Sequence, residues 1–379
     1  MKFDTLALHT GVEICPHTGA SSVPIFQSST FHWESLDDTP KFDYARSGNP
    51  TRAALEHAIA ALEGARHGFA FSSGMAAITG VLLTLSAGSH IIACEDVYGG
   101  TFRALTKVFT RLGIETTFVD TTDLNQIEAA IRPQTRAIYL ETPSNPNLRV
   151  TDLAGAVHIA RDHGLLSIVD NTFMSPCLQN PHALGADVVV HSATKFLGGH
   201  SDVVAGVATC NDDDLAEEIY LIQNGCGGVL GPQDSWLLMR GIKTLPLRIR
   251  QSQATASQIA AYLSQHSKVH NVFYPGLPTH PGAEIHQRQA QGPGAVLSFD
   301  LGSSDAVRRF VEHLHVPIFA VSLGAVETIL SYPARMSHAA MPEEQRRRLG
   351  ITDGLLRLSV GLEDAEDLLE DLEHALRKI

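Results

Sequence analysis

Between His90 and His191 the chain alternates short apolar runs with segments of helical length, and few folds can absorb that pattern. The runs are His90–Cys94, Glu115–Val119, Ala137–Glu141, Leu165–Val169 and Val188–His191, with a further one at Gly68–Phe71. Runs of this length and composition read as buried strands. The spacers, such as Leu124–Ile131 and Leu153–His163, read as helices, and strands separated by helices pair in parallel through crossovers. The expected class is therefore α/β: a large domain with a mostly parallel sheet and helices on both faces. Ligands of such sheets bind outside the carboxyl ends of the strands. Tyr98, Glu141, Asn145, Asp170, Ser192, Thr194 and Lys195 all fall just past predicted strand ends, so one ligand can meet them all.

The last of these strands runs into Ser192-Ala-Thr194-Lys195 and two glycines. A lysine directly after a core strand loses hydration, and a desolvated amine that gives up its proton is what Schiff-base chemistry requires. Hydroxyls one and three residues before it can hold a phosphate beside that amine. Two readings of the stretch stand side by side: a lysine carrying pyridoxal phosphate (PLP) as an imine, or a solvated lysine in a polar loop. Asp170 adds weight to the first, because a carboxylate on a neighbouring strand end can keep a pyridine nitrogen protonated. By itself Asp170 is equally a turn former. Ser72-Ser73-Gly74-Met75 opens a predicted helix from Met75 to Leu85, leaving free N–H groups that suit an anion.

Composition narrows the classes. A chain of 379 residues is long enough for two domains, and 44% hydrophobic residues supply a sizeable core. A formal net charge of −13, with no Lys/Arg cluster that suggests such a site, argues against nucleic-acid and membrane-surface binding. Arg346-Arg347-Arg348 is flanked by Glu343 and Glu344 and reads as a solvated helix face. The 5 cysteines form no C-x-x-C and the 19 histidines no ligand-spaced cluster, so neither a disulfide framework nor a metal site is expected. The first residues lack the continuous apolar segment of a signal peptide, and a cytoplasmic protein is expected. Residues 1–44, rich in turn formers, read as an N-terminal arm lying on something else. Asn49-Pro50 then marks a turn, with Thr51 as the expected cap of the next helix. Past residue 240 a long helix from Arg240 to about His266 reads as a connector. It leads into a second α/β region with strands near Ala295–Phe299, Pro317–Ala320 and Leu355–Ser359, and a closing helix, Ala365–Leu376.

Several stretches together resemble the Cys/Met-metabolism PLP-dependent enzymes, which include cystathionine β-lyases, γ-lyases and γ-synthases and methionine γ-lyases. They are Tyr44-Ala-Arg46-Ser-Gly-Asn-Pro-Thr51, Ser73-Gly-Met75, Val97-Tyr-Gly-Gly-Thr101, Glu141-Thr-Pro-Ser-Asn145-Pro, Asp170-Asn-Thr-Phe-Met-Ser-Pro176, Ser192-Ala-Thr-Lys195, Ser322-Leu-Gly and Arg357-Leu-Ser-Val-Gly361. The likeness runs from about Leu6 to the C-terminus. It implies the PLP-dependent transferase-like fold (fold type I), with an arm at 1–44 reaching a neighbouring subunit, a PLP-binding domain at 45–240 and a smaller C-terminal domain at 241–379.

The resemblance also implies roles. Lys195 would hold PLP and shuttle the substrate proton, Asp170 would pair with the ring nitrogen, and Tyr98 would stack on the ring and share in catalysis. Ser73, Gly74, Met75, Ser192 and Thr194 would hold the phosphate, joined by Tyr44 and Arg46 from the neighbouring subunit. Arg357, Asn145 and Ser322, with Tyr44, would bind the amino-acid substrate through its α-carboxylate. Members are typically homotetramers with active sites shared between two subunits.

Within the family, Gly100 stands where methionine γ-lyases usually carry cysteine, and Val321 where many γ-acting enzymes carry glutamate. Asp43, by contrast, matches an acid of the γ-lyases. The segment Ser322–His338 looks most like bacterial cystathionine β-lyases. The expected reaction is β-elimination of L-cystathionine to homocysteine, pyruvate and ammonia, with a γ-lyase or γ-synthase as the alternative. From other classes, Ser192-x-x-Lys195 also matches an S-x-x-K acyl enzyme. Its companion motifs are met only by Ser201-Asp202-Val203 and Lys243-Thr244-Leu245. A non-catalytic PLP-fold binding protein would most plausibly have lost Lys195, Asp170 or Arg357, and all three are present.

Overall fold

A computed structural model describes residues 1–379 apart from 12, 13, 16, 17 and 340. Strands β1 (His67–Phe71), β2 (His90–Cys94), β3 (Glu115–Val119), β4 (Thr135–Glu141), β5 (Leu166–Asp170), β6 (Val188–Ser192) and β7 (Gly206–Cys210) form one sheet, in the order β1-β7-β6-β5-β4-β2-β3. From β6 to β3 the neighbours run parallel, while β7 is antiparallel to both β6 and β1. The register places Glu141 opposite Asp170, so these strands finish level with one another. Helices cover both faces: Ile78, Val81 and Leu82 pack against Val188 and Val190 on one, and Leu55, Ile59 and Leu62 against Ala193 and Val207 on the other.

The series of strands does not close at β6. β7 reads Gly-Val-Ala-Thr-Cys, too small-sided to announce itself as a strand. Its small residues have a packing reason, because a Cβ on Gly206 would lie 2.1 Å from the Ser73 carbonyl oxygen. The helix Pro50–Glu63 is capped by Asn49, not Thr51. Asn49 Oδ1 accepts from the Thr51 and Arg52 N–H groups at 2.9 and 3.3 Å, and Pro50 occupies the first turn, where no N–H is needed. Thr51 Oγ1 instead donates to Pro24 O and accepts from Phe26 N, both at 2.9 Å, tying the arm to the body. The helix at Met75 begins one residue earlier, at Gly74, and ends at Leu82, with Ser73 as its cap.

The expected long helix from Arg240 is two helices, Pro232–Ile242 and Leu245–Gln265. Pro246 in the first turn of the second cannot continue the hydrogen-bond ladder of the first. A second sheet follows, β10-β11-β12-β9-β8, from β8 (Asn271–Phe273), β9 (Val296–Asp300), β10 (Ile318–Phe319), β11 (Ile329–Ser331) and β12 (Leu355–Ser359). Two of its strands, β8 and β11, have three residues each and carry no readable periodicity. Its core joins Ile259 and Leu263 of the helix Leu245–Gln265 to Phe299, Leu358 and the closing helix, Ala365–Leu376. Glu343–Arg348 is a short helix without a buried residue, its Glu343 and Arg347 paired at 2.7 Å.

The arm contributes the helix Phe3–His9, whose Ala7 joins the core at Leu55 and Ile59. Beyond it Ile25, Phe26, Trp33 and Leu36 are exposed.

Gly206→Ala tests the close approach of β7 to the Ser73 turn. The added methyl should destabilise the protein by about 1–3 kcal/mol, as overpacked cores do. Chemical denaturation should show it as a lower midpoint with an unchanged slope.

Candidate active site

The level ends of the parallel strands and the edge of the second sheet enclose a cavity of about 490 Å³. That volume is within the roughly 300–1,000 Å³ of small-molecule sites. Lys195 enters it from the turn after β6, and its Nζ donates to Ser322 Oγ at 2.7 Å. Burial, and secondly the charge of Arg357, lowers the amine from 10.5 to about 8. The lysine thus gives up its proton far more readily near neutral pH than an ordinary lysine, which suits Schiff-base chemistry. Its partner Ser322 has φ +94°, an unusual conformation for a residue with a side chain. Such strain costs about 1–3 kcal/mol and is found where a site over-determines the backbone.

Ser322 also orients the second cation. Arg357, on β12, donates from Nη2 to Ser322 O at 2.8 Å and from Nη1 to Asn145 Oδ1 at 2.7 Å. Its Nε is buried without a partner. Burial lowers the guanidinium to about 10, so it remains charged at neutral pH. A buried cation with an unused donor suits a carboxylate.

Two carboxylates face these cations. Asp170 Oδ1 accepts from Thr172 N at 3.0 Å and Thr172 Oγ1 at 2.5 Å, while Oδ2 accepts from the Tyr139 hydroxyl at 3.2 Å. Burial raises its pKa, and the Thr172 bonds oppose that shift. Glu141, opposite it in register, is held well above the usual carboxylate range by burial and then by the charge of Asp170. Glu141 Oε2 accepts from the Tyr98 N–H at 2.9 Å, anchoring the start of the helix Gly99–Arg103. Tyr98 lines the cavity and leaves two-fifths of its surface exposed.

Ser73, Gly74 and Met75 bring the first turn of the helix Gly74–Leu82 to the same cavity, where Ser192 and Thr194 also lie. Ser73 Oγ accepts from Ala76 N at 3.1 Å, which leaves the Gly74 and Met75 N–H groups outside the intrahelical ladder. Thr194 Oγ1 exchanges bonds with the Ala205 backbone at 3.0 and 3.2 Å.

Eleven of the thirteen expected site residues are thus brought together within one chain. Tyr44 and Arg46 are not. Arg46 donates to Asn224 O and Oδ1 at 2.5 and 2.9 Å, stands 5.5 Å over the Tyr44 ring, and both are outside the cavity.

Glu141, expected near the ligand but given no role, lines the cavity, and so do Thr172 and Arg103, which were not expected there. Glu141 was legible as a strand-end carboxylate, and Thr172 as the third residue of an Asp-x-Thr turn. Nothing in the sequence pointed to Arg103.

A desolvated amine, a fixed buried carboxylate and a helix N-terminus flanked by hydroxyls, in a cavity of this size, fit PLP. A family model described as Cys/Met metabolism PLP-dependent enzyme matches residues 4–377. The chain belongs to that family. Its cofactor is therefore PLP, and its substrate a small molecule of the amino-acid class. The cystathionine β-lyase MetC of Bacillus subtilis (strain 168) is 56% identical over 376 residues, 99% of this chain and 96% of that protein. The cystathionine γ-lyase of the same organism is 53% identical and covers 100% of both. The crystal structure of cystathionine γ-lyase from Lactobacillus plantarum complexed with L-serine superposes with a TM-score of 0.97 at 48% identity, covering 100% of this chain and 99% of that one. Among the described residues no helix is long and apolar enough to cross a membrane.

The depressed lysine offers a direct test on protein freed of cofactor. The nucleophile is the neutral amine, so its fraction grows as pH rises through about 8 and then levels off. Labelling with an amine-selective reagent, read residue by residue by mass spectrometry, should plateau above that pH for Lys195.

Proposed function

We propose that this enzyme is a cytoplasmic carbon–sulfur lyase that takes L-cystathionine and water to homocysteine, pyruvate and ammonia by β-elimination. The observation that carries the reading is the chain Lys195–Ser322–Arg357–Asn145, closed by bonds of 2.7–2.8 Å. An α-carboxylate on Arg357 puts the adjoining Cα beside the Lys195 amine. In this reading Lys195 would hold the cofactor, and its amine would take the proton from the substrate Cα. Asp170 holds the proton of the pyridine nitrogen, and Tyr98 covers the ring. The Gly74 and Met75 N–H groups, with the hydroxyls of Ser73 and Ser192, would hold the phosphate, and Thr194 would join them by turning its hydroxyl from Ala205 O. When bound, PLP supplies an electron sink for the pair left at Cα.

β-elimination ends there, because the thiolate leaves from the next carbon. A γ-acting enzyme has one more proton to move. Val321, at the cavity and more than half exposed, offers no charge to a distal ammonium, which favours the shorter sequence. At Gly100 a Cβ would stand 2.4 Å from the Tyr98 ring and 3.0 Å from Met75 Sδ, so a cysteine there requires the ring to move. The acyl-enzyme alternative wants Lys195 turned towards Ser192, whereas its amine bonds to Ser322.

The exposed arm side chains Ile25, Phe26, Trp33 and Leu36 support an assembly in which the arm lies on a second copy, bringing Tyr44 and Arg46 to that copy's phosphate site. A homotetramer of two such dimers is the proposed state. Thiols at Cys94, Cys177, Cys210 and Cys226, none in a disulfide, accord with a reducing compartment.

Incubation of the holoenzyme with L-cystathionine should yield pyruvate and homocysteine. Dominant 2-oxobutyrate with cysteine would transfer the assignment to the γ-lyases, which the arm acid Asp43 favours. Lys195→Ala should abolish both turnover and covalent PLP. Arg357→Lys, which loses the bidentate fork, should lower kcat/KM roughly 10- to 100-fold, mainly through KM.

A further inference from the structure

Behind the cavity, the strand ends rest on a buried polar network that the proposed reaction does not use. Glu63 closes the helix Pro50–Glu63, and its Oε1 meets His191 Nε2 at 2.5 Å, with relative exposures of 0% and 1%. The same oxygen accepts from Asn171 Nδ2 at 3.2 Å. Asn171 exchanges bonds with Gln179, donating to its carbonyl at 2.9 Å and accepting from its Nε2 at 3.1 Å. Gln179 Nε2 continues to Thr142 O, also at 3.1 Å.

Every strand residue contacted here adjoins a residue of the cavity. His191 precedes Ser192, Asn171 follows Asp170 and Thr142 follows Glu141. Side chains alternate along a strand, so His191 faces the opposite way from Ser192, and Asn171, just past β5, bonds to the same Glu63 oxygen.

Adhesion does not explain this network. A carboxylate in the last turn of a helix opposes the helix dipole. Glu63 Oε2 and His191 Nδ1 are buried with no partner. Replacing such a buried pair by apolar side chains is often neutral or stabilising. Leu55, Ile59 and Leu62 already dock the helix through apolar packing. What the polar atoms add is direction, because a hydrogen bond fixes a partner's position where an apolar contact lets it slide.

We infer that Glu63 is a positioning residue for the cofactor pocket, acting through His191 and Asn171 on the strand ends that present Ser192 and Asp170. The inference rests on the assignment of those two residues to the cofactor. Glu63 itself touches neither cofactor nor substrate.

The test compares four full-length proteins: wild type, Glu63→Gln, the double variant Glu63→Leu/His191→Leu, and Asp170→Asn as the control for the site. PLP affinity is measured by titrating the apoprotein, and thermal stability is measured on the apoprotein alone. Glu63→Gln keeps the shape, removes the charge and should bind PLP about tenfold more weakly, the loss of one bond to a charged group. The double variant should melt at or above the wild-type temperature and bind PLP more weakly still. Asp170→Asn should also weaken PLP. Wild-type affinity in both Glu63 variants, or a melting temperature that falls in step with affinity, would overturn the positioning role. Wild-type affinity in Asp170→Asn would overturn the site assignment instead.

Discussion

Two cations and two carboxylates share one buried cleft, and much of the architecture is needed to make that tolerable. Lys195 and Arg357 repel each other, as do Asp170 and Glu141, and each is dehydrated. In a medium of low polarity such a set persists only if every member is held by directed bonds. Ser322 does this for both cations at once, with its hydroxyl on Lys195 and its carbonyl on Arg357, and its backbone takes a positive φ. Thr172 and Tyr139 hold Asp170, and the Tyr98 N–H holds Glu141. The consequence is chemical: the lysine amine is depressed towards neutrality while the guanidinium stays charged.

The two sheets divide the labour. The parallel sheet, with its level strand ends, presents the lysine, the aspartate and the helix N-terminus that suit the cofactor. Arg357 and Ser322 come from the second sheet and the segment leading into β11, and these suit the substrate. Chemistry common to the family thus sits on the more regular part of the fold. In the proposed reading, the residues that bear on β- against γ-action are Gly100 and Val321, on short segments outside the parallel strands. This separation explains how relatives named β-lyase and γ-lyase have nearly equal identity to this chain.

Much of this was readable beforehand. The strands β2, β4, β5 and β6 stood out because each holds an apolar run, and strands buried on both faces have that composition, whereas β3, Glu-Thr-Thr-Phe-Val at the sheet edge, was marked by its place between helical segments. β7 escaped because its residues are small to fit beside the Ser73 turn, a demand set by a segment more than a hundred residues away. β8 and β11 are too short to show a period. The break at Lys243 was missed because the helical pattern on both sides is in itself sound, and Pro246 alone marks the boundary.

Sequence by itself determined the α/β class, because alternating apolar runs and helical spacers are local, and through its resemblance to a family it pointed to the cofactor and to the residues expected to hold it. Only the tertiary structure decided how those residues are tuned. The bond from Lys195 to Ser322 spans 127 positions and that from Arg357 to Asn145 spans 212. The Glu63–His191 pair spans 128. Burial and long-range pairing belong to the folded chain as a whole, and no local pattern of residue types encodes them.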